Sequence, residues 1–364
     1  MFVGREEELN ALMSLWDKST SSLVTCRGRR RIGKSSLIEE FARRTADAFI
    51  VLEGIAPRKG LSDRRQRAHF CEQLSVFVHK RVRAANWISA FQALDEAIPS
   101  SGRTVVLLDE ISWMGAYNPD FAGILKIAWD RFFSKHERLV VVFCGSVSAW
   151  IAQNILNSTG FVGRNSLDLE LDELPFGKCM ELLGPLGRHL SANERIDFLS
   201  VAGGVPKYLL EIHPEYSVEE NVRRMCFTRN GLLFREFDET FSSVFGRKAV
   251  SRRKALECLA ERPASVSEFA ARTHAPEGGR LSMILRDLRH AGFVGSDAGL
   301  NPATGEPLRQ ERYRIKDNYT RFYLKCIEPH RKSIEEGLFQ FASLDQLPNW
   351  DGIMGLQFEN LIVG

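Results

Sequence analysis

Over the first half of the chain, short apolar runs alternate with longer amphipathic stretches, the pattern of buried strands joined by crossover helices. Runs at 22–26, 48–52, 104–108 and 140–144 predict strands. Those at 104–108 and 140–144 are continuous rather than alternating, as in a parallel sheet covered on both faces. Helical spacing fills 35–44, 64–84 and 121–134. Beyond Asp172 the strand signal fades. Residues 173–245 read as helices broken at Gly184-Pro185, Gly203-Gly204-Val205-Pro206 and His213-Pro214.

The character changes again over 248–325. Helices are predicted at 249–261, 266–272 and 281–291, the second opened by a capping box of Ser265 and Glu268. Leu281, Ile284, Leu285 and Leu288 share one apolar face of the third, and Arg280, Arg286, Arg289 and His290 share the opposite one. Candidate strands at 292–296 and 312–315 flank a turn-rich tip, Asn301-Pro302-Ala303-Thr304-Gly305-Glu306-Pro307. Three helices followed by a hairpin is the order of a winged helix, whose third helix enters the major groove with arginines able to read guanine edges. The organisation expected is an α/β domain over 1–172, a helical lid over 173–245, a winged helix over 246–332 and an extension over 333–364.

Composition narrows the class. Hydrophobic residues are 44% and charged residues 26% of 364, which excludes wholesale disorder and collagen-like repeats. No stretch approaches the ~18 apolar residues of a membrane-spanning helix. The N-terminus turns acidic at Glu6-Glu7 where a secretory leader would be apolar. A soluble, cytoplasmic protein is expected. Seven cysteines stand singly with no CxxC pair, which predicts reduced thiols and no structural zinc. The net charge of +3 hides an asymmetry: residues 246–332 carry 18 Lys/Arg against 10 Asp/Glu, a local +8, leaving −5 elsewhere. Such a segment suits an anionic partner or simply a basic solvated face.

The most specific chemical signal is Gly28-Arg29-Arg30-Arg31-Ile32-Gly33-Lys34-Ser35, a complete GxxxxGK[ST] pattern between a predicted strand and the helix that opens at Ser36. Its glycines let successive N–H groups turn toward the β- and γ-phosphates of a nucleotide, and the helix dipole adds to them. Lys34 supplies a point charge to those phosphates, and Ser35 offers its hydroxyl to Mg²⁺. Asp109 and Glu110 follow the 104–108 run, 81 residues after Gly28. Asp109 is expected to hold the Mg²⁺ and Glu110 to polarise the attacking water. Ser146, at the tip of the 140–144 run, is a candidate γ-phosphate sensor. It also reads as the N-cap of a helix over 147–155, and the two roles are compatible.

These motifs, together with Phe2-Val3-Gly4-Arg5-Glu6, Cys144-Gly145-Ser146, Gly163-Arg164, Ala202-Gly203-Gly204-Val205-Pro206 and Tyr313-Arg314-Ile315-Lys316-Asp317, occur in an order that resembles the archaeal-type P-loop ATPase family, a branch of the AAA/STAND ATPases. The resemblance covers nearly the whole chain. It implies an α/β P-loop NTPase fold, a parallel sheet with flanking helices, followed by an all-α lid and a winged-helix domain. By the same resemblance Phe2, Val3, Gly4 and Arg5 pack against adenine and ribose, and Pro206 belongs to the motif by which the lid closes on nucleotide. Arg164 occupies the place of a basic residue that reaches a γ-phosphate in cis or from a neighbouring subunit; it also reads as an ordinary surface arginine. The full family often continues into a PD-(D/E)xK nuclease-like domain. Residues 355–362 look like that domain's first helix, and no nuclease activity is expected of ten residues.

The function implied is Mg²⁺-dependent hydrolysis of ATP to ADP and phosphate, slow unless a partner protein or homo-oligomer completes the site. The winged helix would then contact double-stranded DNA through Arg280, Arg286 and Arg289. The alternative is a nucleotide-dependent switch or scaffold with negligible hydrolysis, its winged helix serving protein or intramolecular contacts.

Overall fold

Five strands, β1 (Ser22–Gly28), β2 (Ala48–Glu53), β3 (Thr104–Asp109), β4 (Leu139–Gly145) and β5 (Asn165–Leu171), form one parallel sheet in the order β2-β3-β4-β1-β5. The computed structural model describes residues 2–146, 148–273, 278–300, 307–347 and 350–363. The chain falls into two compact units, Met1–Arg29 with Gly33–Leu171, and Arg30–Ile32 with Asp172–Gly364.

Helices α1 (Glu6–Met13), α2 (Lys34–Thr45), α3 (Asp63–Phe77), α4 (Trp87–Asp95), α5 (Ile111–Met114), α6 (Phe121–Arg131) and α7 (Ser148–Ile151) complete the first unit. β3 and β4 are buried from end to end apart from Asp109, which accounts for their continuous apolar sequences. Leu52, Val106, Leu108, Val141 and Phe143 pack with Phe70, Phe91, Phe121 and Trp87 in a single core. Trp87 meets Phe121 edge to face, ring centroids 4.9 Å apart.

Several elements depart from the sequence expectation: α1, α4 and α5 were not anticipated, and two further differences have a clear physical reason. The helix expected over 64–84 stops at Phe77, and His79 takes a left-handed φ of 53° that turns the chain back. The strand β5 was not anticipated. It alternates buried Leu169 and Leu171 with exposed Asp168 and Glu170, because it sits at the sheet edge and only one face is covered.

The second unit contains α8 (Phe176–Leu186), α9 (Ala192–Ala202), α10 (Pro206–Leu209), α11 (Val218–Cys226), α12 (Leu232–Phe245), α13 (Ala249–Glu261), α14 (Val266–Thr273), α15 (Gly279–His290), α16 (Asn318–Phe322), α17 (Arg331–Glu335) and α18 (Trp350–Val363). The expected break at Gly184-Pro185 falls one residue later: α8 takes in Pro185 as its penultimate residue and ends at Leu186, with Gly187 beyond it.

α13, α14 and α15 are followed by the antiparallel pair β6 (Val294–Leu300) and β7 (Pro307–Ile315), the order of elements expected over 246–332. The capping box is made: the Ser265 N–H donates to Glu268 Oε2 at 2.8 Å and the Glu268 N–H to Ser265 Oγ at 3.2 Å. Leu281, Leu285 and Leu288 are buried, while Ile284 is partly exposed. Of the expected wing tip 301–307, residues 301–306 lie outside the described residues and Pro307 opens β7.

α18 is built into this second unit. Gln357, fully buried, donates to the carbonyls of Ser200 (2.7 Å) and Asn318 (2.9 Å) and accepts from Arg321 Nη1 (2.7 Å). Burial, with the neighbouring Arg314 charge, pushes the Arg321 guanidinium down to about 10.

Candidate functional site

β1 delivers Gly28 to the end of the sheet, and the chain re-enters α2 after Gly33, whose φ is 90°. Lys34 is 7% exposed, and its Nζ donates to the carbonyls of Gly28 (3.0 Å) and Arg29 (2.9 Å), closing the loop on itself. Ser36 is exposed on the first turn of α2. From the next turn, Leu37 and Ile38 anchor the helix in the core.

Across the sheet, β3 ends in Asp109, and Ser35 Oγ donates to Asp109 Oδ2 at 2.6 Å. A hydroxyl and a carboxylate converging there make an oxygen donor set of the kind Mg²⁺ takes. Glu110 has φ 47° and ψ 50°, a left-handed conformation unusual for a side-chain-bearing residue. Its Oε2 accepts from both the N–H (3.1 Å) and the hydroxyl (3.0 Å) of Ser146 beyond β4. The two acids therefore diverge: one carboxylate joins the phosphate loop and the other joins the tip of β4.

The backing of this pair is tight. The Gly54 N–H donates to the Asp109 carbonyl at 3.0 Å, and a Cβ on Gly54 would lie 2.7 Å from the Glu110 carbonyl oxygen. Buried Gln66 fixes the same corner, accepting from the Ile55 N–H and donating to the Ile55 and Trp113 carbonyls. Behind the phosphate loop Cys144 stands opposite Cys26 in the β1–β4 register. The hydrogen bond to Cys26, burial and the Asp109 charge hold its thiol well above the usual range. Such a thiol is unreactive filler.

Neither Gly54 nor Gln66 stood out in the sequence. A glycine one position after a strand was the available signal, and it is ambiguous on its own.

The other expected residues are placed as follows. Gly4 and Arg5 take consecutive left-handed conformations just before α1, and Arg5 pairs with Glu8 at 3.2 Å. Phe2 and Val3 are partly exposed. Arg164 is held in a two-pronged ion pair with Asp130 at 2.7 and 3.1 Å. Arg164 and then Lys126 draw the Asp130 carboxyl down to about 2.

Arg30–Ile32 group with the second unit. There Arg31 Nη2 is 2.7 Å from Oε2 of Glu236, whose other oxygen accepts from Tyr208 (3.1 Å) and Thr240 (2.8 Å). Glu236 is 1% exposed, a buried charge that sequence reading did not single out. Pro206 opens α10 behind Gly204, where a Cβ would fall 2.5 Å from the Leu174 carbonyl. That approach requires a glycine. Arg280, Arg286 and Arg289 are all exposed on α15, and Arg289 also donates to Ser296 Oγ at 3.2 Å.

Comparison with known proteins places this geometry in context. A family model described as an ATPase domain predominantly from Archaea matches residues 2–212. An uncharacterised protein of Methanocaldococcus jannaschii is 22% identical over 368 residues, covering 99% of this chain and 76% of its own. The fold resembles that of a Walker-type ATPase of Pyrococcus abyssi, with a TM-score of 0.59 at 17% identity over 89% of this chain and 96% of that one. It also resembles the ORC2 protein of Aeropyrum pernix in its ADPNP–ADP complexes, with a TM-score of 0.53 at 13% identity over 92% and 94% of the two chains.

Proposed function

Since the chain belongs to the P-loop ATPase family found predominantly in Archaea, we propose that it binds ATP with Mg²⁺ at residues 28–36 and hydrolyses it to ADP and phosphate. The observation that carries this reading is the joint placement of Ser35 against Asp109 and of Glu110 against Ser146. Mg²⁺, when bound, would neutralise charge on the β- and γ-phosphates. Ser35 and Asp109 are its ligands in this proposal. Lys34 exchanges its carbonyl partners for phosphate oxygens, and the loop amides supply the remaining donors.

Glu110 orients the attacking water and takes up its proton as the γ-phosphate leaves. Ser146 positions that carboxylate. Phe2, Val3, Gly4 and Arg5 are assigned to the base and sugar by family resemblance. Arg164 is assigned to the γ-phosphate on the same ground, and its pairing with Asp130 supports a latent state that an oligomer or partner would release.

The winged helix is assigned to double-stranded DNA, supported by the exposure of Arg280, Arg286 and Arg289 on α15. A second reading, of AAA/STAND type, is a nucleotide switch with negligible turnover. The double hydrogen bond that occupies the Glu110 carboxylate favours it. Phosphate release by wild type and Glu110→Gln, each with and without duplex DNA, separates the two. Turnover abolished in the variant supports the hydrolase, and no turnover in either protein supports the switch.

A further inference from the structure

The strongest local charge in the first unit lies away from the phosphate loop. Residues 57–83 carry eight Lys/Arg and two Asp/Glu, a net +6 against +3 for the whole chain. Both acids are engaged. Asp63 pairs with Arg67 at 2.9 Å and accepts from Trp87 Nε1 at 2.7 Å, and Glu72 pairs with Arg65 at 2.7 Å. Arg58, Lys59, Arg64, Lys80, Arg81 and Arg83 are exposed, and none has an acidic partner among the described residues.

The chain path distributes these six along α3 and its flanks. After α3 ends at Phe77 the connector folds back along it: the Val82 N–H donates to Ser75 Oγ at 2.9 Å, Arg67 Nε reaches the Ala84 carbonyl at 3.4 Å, and Trp87 returns to Asp63. Lys80, Arg81 and Arg83 thus run beside α3 toward the turn that bears Arg64. Arg58 and Lys59 precede that turn, and Tyr117 clamps their loop by accepting from the Arg58 N–H and donating to the Arg58 carbonyl, both at 3.0 Å. The cations sit on backbone that is already ordered.

We propose that α3 and its returning connector form a docking track for the sugar–phosphate backbone of duplex DNA, distinct from α15 and independent of the ATP reading. α3 is about 21 Å long, on the order of six phosphate steps at ~3.4 Å of axis per strand. Uncompensated cations in a row attract a polyanion and release its counterions. A membrane surface fits less well, because a lipid-bound helix presents its apolar face, and that of α3, with Phe70 and Leu74, is buried in the core. Single strands fit less well too: Phe70 and Trp87 point inward and offer no stacking platform.

The test uses the full chain with Arg280, Arg286 and Arg289 replaced by Ala, so that α15 contributes nothing. Anisotropy titration of a 30-base-pair duplex of random sequence at several salt concentrations gives the log–log slope. Two triple variants, Arg58→Ala/Lys59→Ala/Arg64→Ala and Lys80→Ala/Arg81→Ala/Arg83→Ala, should each lower the slope by up to ~2.7, at ~0.9 per phosphate contact. Replacing the arginines by Lys should leave it intact. Slopes unchanged in both triple variants would overturn the proposal. So would binding to phosphatidylglycerol vesicles or polyglutamate without binding to the duplex.

Discussion

Glu110 and Ser146 are joined twice: one carboxylate oxygen receives both the backbone N–H and the hydroxyl of the serine, at 3.1 and 3.0 Å. Alanine at this position removes the hydroxyl and keeps the backbone N–H. Ser146→Ala should therefore weaken the orientation of Glu110 without abolishing it, lowering phosphate release about tenfold. Glu110→Gln should lower it at least ~100-fold, the lower end of what general-base catalysis supplies. Fluorescent-nucleotide titration should give near wild-type affinity for both. Equal turnover losses would place the serine in direct contact with nucleotide.

Lys34 is buried and already satisfied by two carbonyls, so its charge is held at the loop rather than dispersed in solvent. Lys34→Ala should weaken ATP affinity by at least ~1.4 kcal/mol, tenfold in Kd. Unchanged affinity in the same titration would remove residues 28–36 from the site.

Asp109→Asn keeps the shape of the side chain and removes its charge. The Mg²⁺ concentration for half-maximal turnover should rise by about tenfold or more. A Mg²⁺ titration checks this, and an unshifted midpoint would assign the metal to other ligands.

Arg164 lowers the Asp130 carboxyl to about 2. A depressed acid adds stability above its unfolded value near ~3.9, and that contribution is lost as the pH falls toward about 2. Carboxyl NMR should show Asp130 titrating near 2 in wild type and higher in Arg164→Ala, with Lys126 still holding it partly down. An unshifted titration would show that the pair does not persist in solution.

Gln357→Ala would strand two buried carbonyls and a hydrogen-bond donor of Arg321. The cost should be about 3 kcal/mol or more, a Tm decrease of roughly 6–12 °C for a unit of this size. Phe358→Ala, one position along α18 and 47% exposed, should change Tm little.

Much of the first unit was legible because its signals are local. β1 to β4 announce themselves as apolar runs, and Lys34 and Asp109 stand in short local patterns, a GxxxxGK[ST] loop and an acid pair after an apolar run. β5 was missed although Leu167, Leu169 and Leu171 alternate cleanly, since polar outward residues dilute an edge strand's apolarity. The split of 64–84 was hidden because residues on both sides of His79 keep helical composition, and what turns the chain is the tertiary pairing of Val82 with Ser75 and of Trp87 with Asp63. Glu236 and Gln357 were unreadable for a different reason. A buried polar residue looks like any surface one until its partners are known, and theirs are far away in sequence: Ser200 stands 157 positions from Gln357.

The strand order carries a consequence for drift in this sheet. β4 lies between β1, which carries the phosphate loop, and β3, which carries the acids, so the gauge of the gap is one strand on each side, about 4.8 Å. β4 is thus a spacer whose own end, Ser146, touches one of the parts it separates. A slip of one residue in its register would slide that end by ~3.3 Å and turn its side chains to the opposite face. Insertions should therefore be tolerated before Leu139 and not within Leu139–Ser146.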